Sequence, residues 1–142
     1  MTHLIGVLLA AAAAAAPEYR KAEGTWQVVG MEMNGVVLPP GGFKDLRMVL
    51  KGDTVKALSG GDVIAEGRFR IVGVKGKRVE FDLTLSTGPD KGWTFPAVNE
   101  WADADTIRTR IAQPGTPRPL KRDPGPGDRM AVFVIKRTKP KP

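Results

Sequence analysis

From Lys21 onward, apolar and polar residues alternate over short runs separated by glycine-rich breaks. That is the period-two signature of strands with one face buried. The alternation predicts strands over 25–33, 36–38, 47–51, 54–58, 63–72, 78–86, 93–101, 106–112 and 129–137. It is strictest in 78–86, where Val79, Phe81, Leu83 and Leu85 interleave with Arg78, Glu80, Asp82 and Thr84. Ile64, Phe69 and Ile71 are the expected inward positions of 63–72, and Ile107, Thr109 and Ile111 face away from Arg108 and Arg110. Breaks fall at Asn34-Gly35, Gly52-Asp53, Gly60-Gly61, 73–77, 88–92 and 103–105, all rich in residues that favour turns. Helix signals are nearly absent, with a single helical turn expected over 43–46. The stretch 113–128, dense in Pro and Gly, is predicted to be irregular.

With 36–38 continuing the first run, these make about eight strands joined mostly by short turns. The expected fold is an all-β, antiparallel up-and-down barrel, because closure removes the two sheet edges. A β-sandwich is the competing architecture. It needs long cross-sheet connections, and only 38–47 and 113–128 are long enough to make them.

The first sixteen residues, MTHLIGVLLAAAAAAA, contain no Lys, Arg, Asp or Glu, and the run breaks at Pro17 into Glu18-Tyr19-Arg20-Lys21. An apolar stretch followed by small residues suits a secretory signal cleaved near Ala14 to Ala16. The run is short for a membrane span. The expected organisation is a signal peptide over 1–16, a lead-in over 17–23, one barrel domain over 24–138 and a disordered basic tail over 139–142. Export to a periplasm or the medium follows from this reading, as a monomer that is not transmembrane.

At 142 residues, the chain has room for one core. It has no Cys and a single His, His3, inside the expected signal. The mature chain therefore lacks the side chains for Ser-His-Asp or Cys-His nucleophilic sites, for His- or Cys-ligated zinc and for thiolate redox chemistry. No catalytic residue, metal ligand or cofactor is expected. Asn99, Glu100, Asp103 and Asp105 could offer oxygen ligands at a turn, but turn-forming Asp is their ordinary reading. Ser59 and Ser86 have no imidazole to activate them.

Gly24-Thr25-Trp26 opens the first strand and Lys136-Arg137 closes the last. In lipocalins and related calycin barrels, a G-x-W on the first strand seals one barrel end beneath a basic side chain from the last, by cation-π contact and stem packing. Further blocks follow in order: Gln27-Val28-Val29, Leu50-Lys51-Gly52-Asp53, Glu66-Gly67-Arg68-Phe69, Gly88-Pro89-Asp90-Lys91-Gly92 and Val134-Ile135-Lys136-Arg137. Together they resemble the lipocalin-like domains that occur in many copies in planctomycete bacteria. The resemblance spans nearly all of the chain after the expected signal and implies an exported lipocalin-like barrel. It carries over no catalytic or binding residue. Where it implies a Gly-hydrophobic-Tyr step, this chain has Ala97-Val98-Asn99, so packing there should differ.

Two binding readings follow. In the first, the barrel interior holds a small apolar or amphipathic ligand against Val28, Met31, Met48, Leu50, Phe69, Phe81, Leu83 and Phe95, although a filled core would use the same residues. In the second, the chain is a structural or interaction protein of the cell envelope. Its formal charge of +7 reflects 22 Lys and Arg against 15 Asp and Glu. Lys75, Lys77 and Arg78, with Arg118, Lys121 and Arg122, would then meet anionic polymer or lipid head groups. Nucleic acid is not an expected partner, because no aromatics are interleaved to form a stacking platform. Gly24, Trp26 and Arg137 are assigned a structural role in closing the barrel.

Overall fold

A computed structural model describes residues 15–120 and 129–138. The expected tail over 139–142 and most of the expected signal lie outside that range; 15–22 is helical. Nine strands follow: β1 (Gly24–Met33), β2 (Val36–Val37), β3 (Leu46–Lys51), β4 (Thr54–Ser59), β5 (Asp62–Lys75), β6 (Arg78–Leu85), β7 (Thr94–Asp103), β8 (Thr106–Ala112) and β9 (Met130–Arg137). Antiparallel pairing runs β1-β3-β4-β5-β6-β7-β8-β9, and β9 pairs back onto β1 from Trp26↔Arg137 to Met33↔Ala131. Eight strands thus close into a lipocalin-like barrel. The extra strand, β2, folds back on the end of β1 through Glu32↔Val37 and Met33↔Val36.

The helical turn expected over 43–46 sits earlier, as a 3-10 turn at Pro40–Gly42. Pro39 and Pro40 preset the backbone dihedral there, and the Phe43 N–H closes the turn on the Pro40 carbonyl at 3.2 Å. Phe43 is then buried against the core.

Four register shifts decide which apolar residues face in. Val28 pairs with Ile135 but Gly30 with Val134, so Val29 is an extra residue in β1. Ile64, Val72 and Ala102 are extra in the same way in β5 and β7. A bulged residue leaves the pleat, and the residues after it take the opposite face from the one a strict alternation would give them. Val29, Ile64 and Val72 are accordingly exposed. Ile64 is therefore not inward as the alternation predicted. The same device lets Val28 and Met31, three residues apart, both pair with inward members of β9, Ile135 and Phe133.

Two apolar clusters fill much of the interior. Trp26, Val28, Val79, Trp101, Ile107, Ile135, Ala22 and Phe43 form one, and Phe69, Phe81 and Ala97 form the other. Outside the wall, residues 113–120 lie across β6 to β8. Arg118 donates from Nη1 to the Phe81 and Ala97 carbonyls and pairs with Asp82 at 2.7 Å. Arg110, fully buried beneath this segment, donates to the Pro119 carbonyl at 2.9 Å and pairs with Glu100 at 2.8 Å. Among the described residues, no helix is long and apolar enough to cross a membrane.

Gly67 marks the tightest wall contact. A Cβ there would sit 2.9 Å from the Thr84 backbone oxygen and 3.2 Å from Leu83 Cδ1. Gly67→Ala should destabilise the barrel by about 1–3 kcal/mol in denaturant unfolding, the usual cost of overpacking. Gly41→Ala, where a Cβ meets nothing within 4 Å, should stay within about 0.5 kcal/mol of the wild type.

Candidate functional site

The barrel is closed at the end where β1 begins and β9 finishes, and the helical segment 15–22 supplies the closure. Most of 17–23, the expected lead-in to the barrel, belongs to this helix. Its Arg20 and Lys21 lie at the carboxyl end, where the helix dipole favours cations. Eight residues alone make a marginal helix in water, so the contacts with the barrel hold it.

Arg137 of β9 supplies one of the anchors. Its guanidinium lies 4.4 Å from the Trp26 ring centroid. Nη1 donates to the Glu23 carbonyl at 2.6 Å, Nη2 to the Lys21 carbonyl at 2.8 Å and Nε to Asp105 Oδ1 at 3.3 Å. The basic cover over Trp26 is thus Arg137, while Lys136 is exposed. Gly24 has φ +137°, and a Cβ on it would lie 3.1 Å from Arg137 Nη1. Glycine is needed there for the backbone and for the guanidinium alike. Trp26 is fully buried, with Nε1 donating to the Ala22 carbonyl at 3.0 Å.

Several further polar groups at this end are matched as well, although Arg78 Nε is buried without a partner among the described residues. β4 pairs with β5 only as far as Thr54↔Arg68, which leaves the next stretch of β5 without that neighbour. The Tyr19 hydroxyl fills the place of the missing strand, accepting from the Ile71 N–H at 2.8 Å and donating to the Phe69 carbonyl at 3.3 Å. Trp101 Nε1 donates to Glu18 at 3.3 Å, and Lys21 Nζ lies 4.4 Å from the Trp101 ring centroid.

Between the two apolar clusters lies a cavity of about 90 Å³. Met48, Leu50, Phe69, Phe81 and Leu83 line it as the sequence reading expected. Val28 and Met31 instead pack into the first cluster, and Phe95 is not in the lining. The reading missed Ala22, Val55, Ile111, Phe133, Ile135, Asn99 and Thr109. Asn99 and Thr109 are the polar members of the lining, which includes no charged side chain. Thr109 donates to Asn99 Oδ1 at 2.6 Å. A second void of about 10 Å³ lies beside Asn99, between Glu18 and Trp101.

The other candidates disperse. Asn99 faces the cavity and Glu100 pairs with Arg110 on the outer wall. Asp103 Oδ1 accepts the Asp105 N–H at 2.8 Å. That hydrogen bond, with help from the Thr106 hydroxyl, holds the Asp103 carboxyl below its usual pKa. Asp105 turns instead to Arg137. The described residues contain no group of three or more His, Cys, Asp or Glu suited to a metal. Lys75 and Lys77 are exposed and Arg78 half-buried on the β5–β6 hairpin. Arg118, expected to offer its charge to an anion, is instead committed to the wall through Asp82 and two carbonyls. Lys121 and Arg122 lie outside the described residues.

No family model, no curated protein and no solved structure matches the chain. The geometry of the barrel is what remains to reason from.

Trp26→Ala should cost about 3–5 kcal/mol, as deletion of a buried Trp does. Arg137→Ala should cost less, about 1–3 kcal/mol, from one cation-π contact and the carbonyl hydrogen bonds. Arg137→Lys keeps the charge but not the two-pronged donor. It should leave the barrel amides protected while those of 17–23 exchange faster with deuterium.

Proposed function

We propose that this protein is a non-catalytic, exported binding module that holds one small apolar or amphipathic molecule inside its barrel. The observation that carries the reading is the cavity of about 90 Å³ left between the two core clusters. Interiors of this kind are close-packed, and voids larger than a water molecule are few. The hollow is lined mainly by apolar side chains such as Met48, Leu50, Val55, Leu83, Ile111 and Phe133, and offers water side-chain partners only at Asn99 and Thr109. An apolar guest would restore the dispersion contacts that those side chains lack. The volume is well below the roughly 300–1,000 Å³ of pockets for drug-sized ligands, so the guest is a small molecule or the end of a larger one. Export rests on the apolar segment 1–16 and its small-residue end.

The envelope-binding alternative has less support, because Arg118 is drawn into the wall. The basic hairpin at Lys75, Lys77 and Arg78 is left as its described contribution.

The test exposes the wild type and Val55→Phe, which fills the cavity, to a total cell-envelope extract. After desalting, the ligand is released into solvent and identified by mass spectrometry. A discrete compound recovered from the wild type and lost in Val55→Phe is the expected result, with a rise in the wild-type melting temperature when the compound is added back. Recovery of the same compounds from both proteins, or of none from either, would overturn the reading.

A further inference from the structure

The polar groups that point toward the barrel axis show how their hydrogen bonds are distributed. Trp26 Nε1 is satisfied by the Ala22 carbonyl, Trp101 Nε1 by Glu18, and the Tyr19 hydroxyl by both Phe69 and Ile71. Asn99 is different. A carboxamide has two donors and an acceptor oxygen. Among the described residues, its one side-chain hydrogen bond is the one its oxygen accepts from Thr109. The amide NH₂ is left over, on a side chain that borders the cavity and the small void beside it.

From this we infer the chemical class of the ligand: an uncharged molecule whose single polar group is an oxygen acceptor, seated on the Asn99 amide, with its hydrocarbon part against Met48, Leu50, Val55 and Leu83. The inference rests on the pocket reading above and narrows it. A ligand oxygen would pair amide donors that border the hollow and that no group among the described residues takes up. Charge is excluded on the same geometry. No Lys or Arg lines the cavity to balance a carboxylate, and the nearest ionisable neighbour is Glu18, across the small void. An anion would lose its hydration with no countercharge. The protein's formal charge of +7 therefore belongs to its surface and says nothing in favour of an anionic guest. A cavity of about 90 Å³ is smaller than the engineered one of ~150 Å³ that takes benzene, which sets the scale of the probes.

Three isosteres separate the possibilities: butan-2-one, 2-methylbut-1-ene and propanoate share a shape and differ in an oxygen or a charge. Binding is followed by NMR on ¹⁵N- and ¹³C-methyl-labelled wild type and Asn99→Leu, reading cavity methyl groups in both and the Asn99 side-chain amide in the wild type. The ketone should shift the Asn99 amide signals and the alkene should not. The ratio of ketone to alkene affinity should fall about tenfold in Asn99→Leu, in line with one hydrogen bond. Propanoate should bind at least tenfold more weakly than the ketone. If Asn99→Leu does not fold, Asn99→Ala gives the same comparison.

If ketone and alkene both bind and the ratio is unchanged by the substitution, or propanoate binds as well as the ketone, the inference is overturned and the pocket reading stands. If neither neutral probe perturbs the cavity methyls of the wild type, the pocket reading fails and the inference with it.

Discussion

Everything at the closed end depends on one guanidinium. Arg137 comes from the last strand, covers an indole on the first, and donates to two carbonyls at the end of the helical segment. The helical segment runs almost directly into β1, and β9 pairs with β1 at Trp26↔Arg137, so the guanidinium stands where all three meet. A planar cation with a fork of donors can cover an aromatic face and satisfy backbone acceptors beside it at the same time, which an ammonium cannot do with the same geometry. Gly24 is the complement of that arrangement, since any side chain on it would occupy the place of the guanidinium. The G-x-W pattern is thus a packing rule: the glycine makes room, the tryptophan presents a face, and the arginine of β9 fastens the barrel seam.

The wall follows a second rule. Along four of the strand pairs the strict period of two is broken, each time at a single extra residue. Val29, Ile64 and Val72 are each apolar and each exposed because a bulge lifts them out of the alternation. Without the bulge at Val29, the register after Val28 would turn Met31 outward and bring Gly30 into the core. An exposed apolar residue of this kind reports local geometry and need not mark a binding surface.

These two rules explain what could be read from the chain and what could not. Strand existence, order and antiparallel topology were legible because the alternation in runs such as 78–86 is nearly unbroken and the turns carry Gly, Asn and Asp. The end-closing trio was legible because its residue types have a specific physical use. The bulges were not, since an extra residue leaves no mark in a hydrophobicity pattern. The helix over 15–22 was hidden for another reason. Its residues favour a helix but are too few to hold one in water, so its stability comes from the Tyr19 and Trp101 contacts and from Arg137, all of them long-range. Of the cavity lining, the large apolar residues on the clearest strands were found, but Ala22 came with the unseen helix. Asn99 drew notice for its carboxylate neighbours and as part of the Ala97-Val98-Asn99 departure, but not as a cavity residue, because which face of β7 it occupies depends on register.

Closure and cavity are therefore one structure. Ala22 accepts the Trp26 indole N–H through its carbonyl and lines the cavity. Glu18 holds the Trp101 indole and lines the small void against Asn99. The helix that Arg137 fastens is consequently part of the cavity's boundary. It also takes up the hydrogen-bonding capacity of both tryptophans and, through Tyr19, of the open edge of β5. What it leaves unmatched is the amide of Asn99, on the neighbouring strand pair and bordering the hollow. A barrel whose interior had been filled for stability alone would have placed a Leu at that position and lost the void. The proposed guest accounts for the polar residue and the space beside it together.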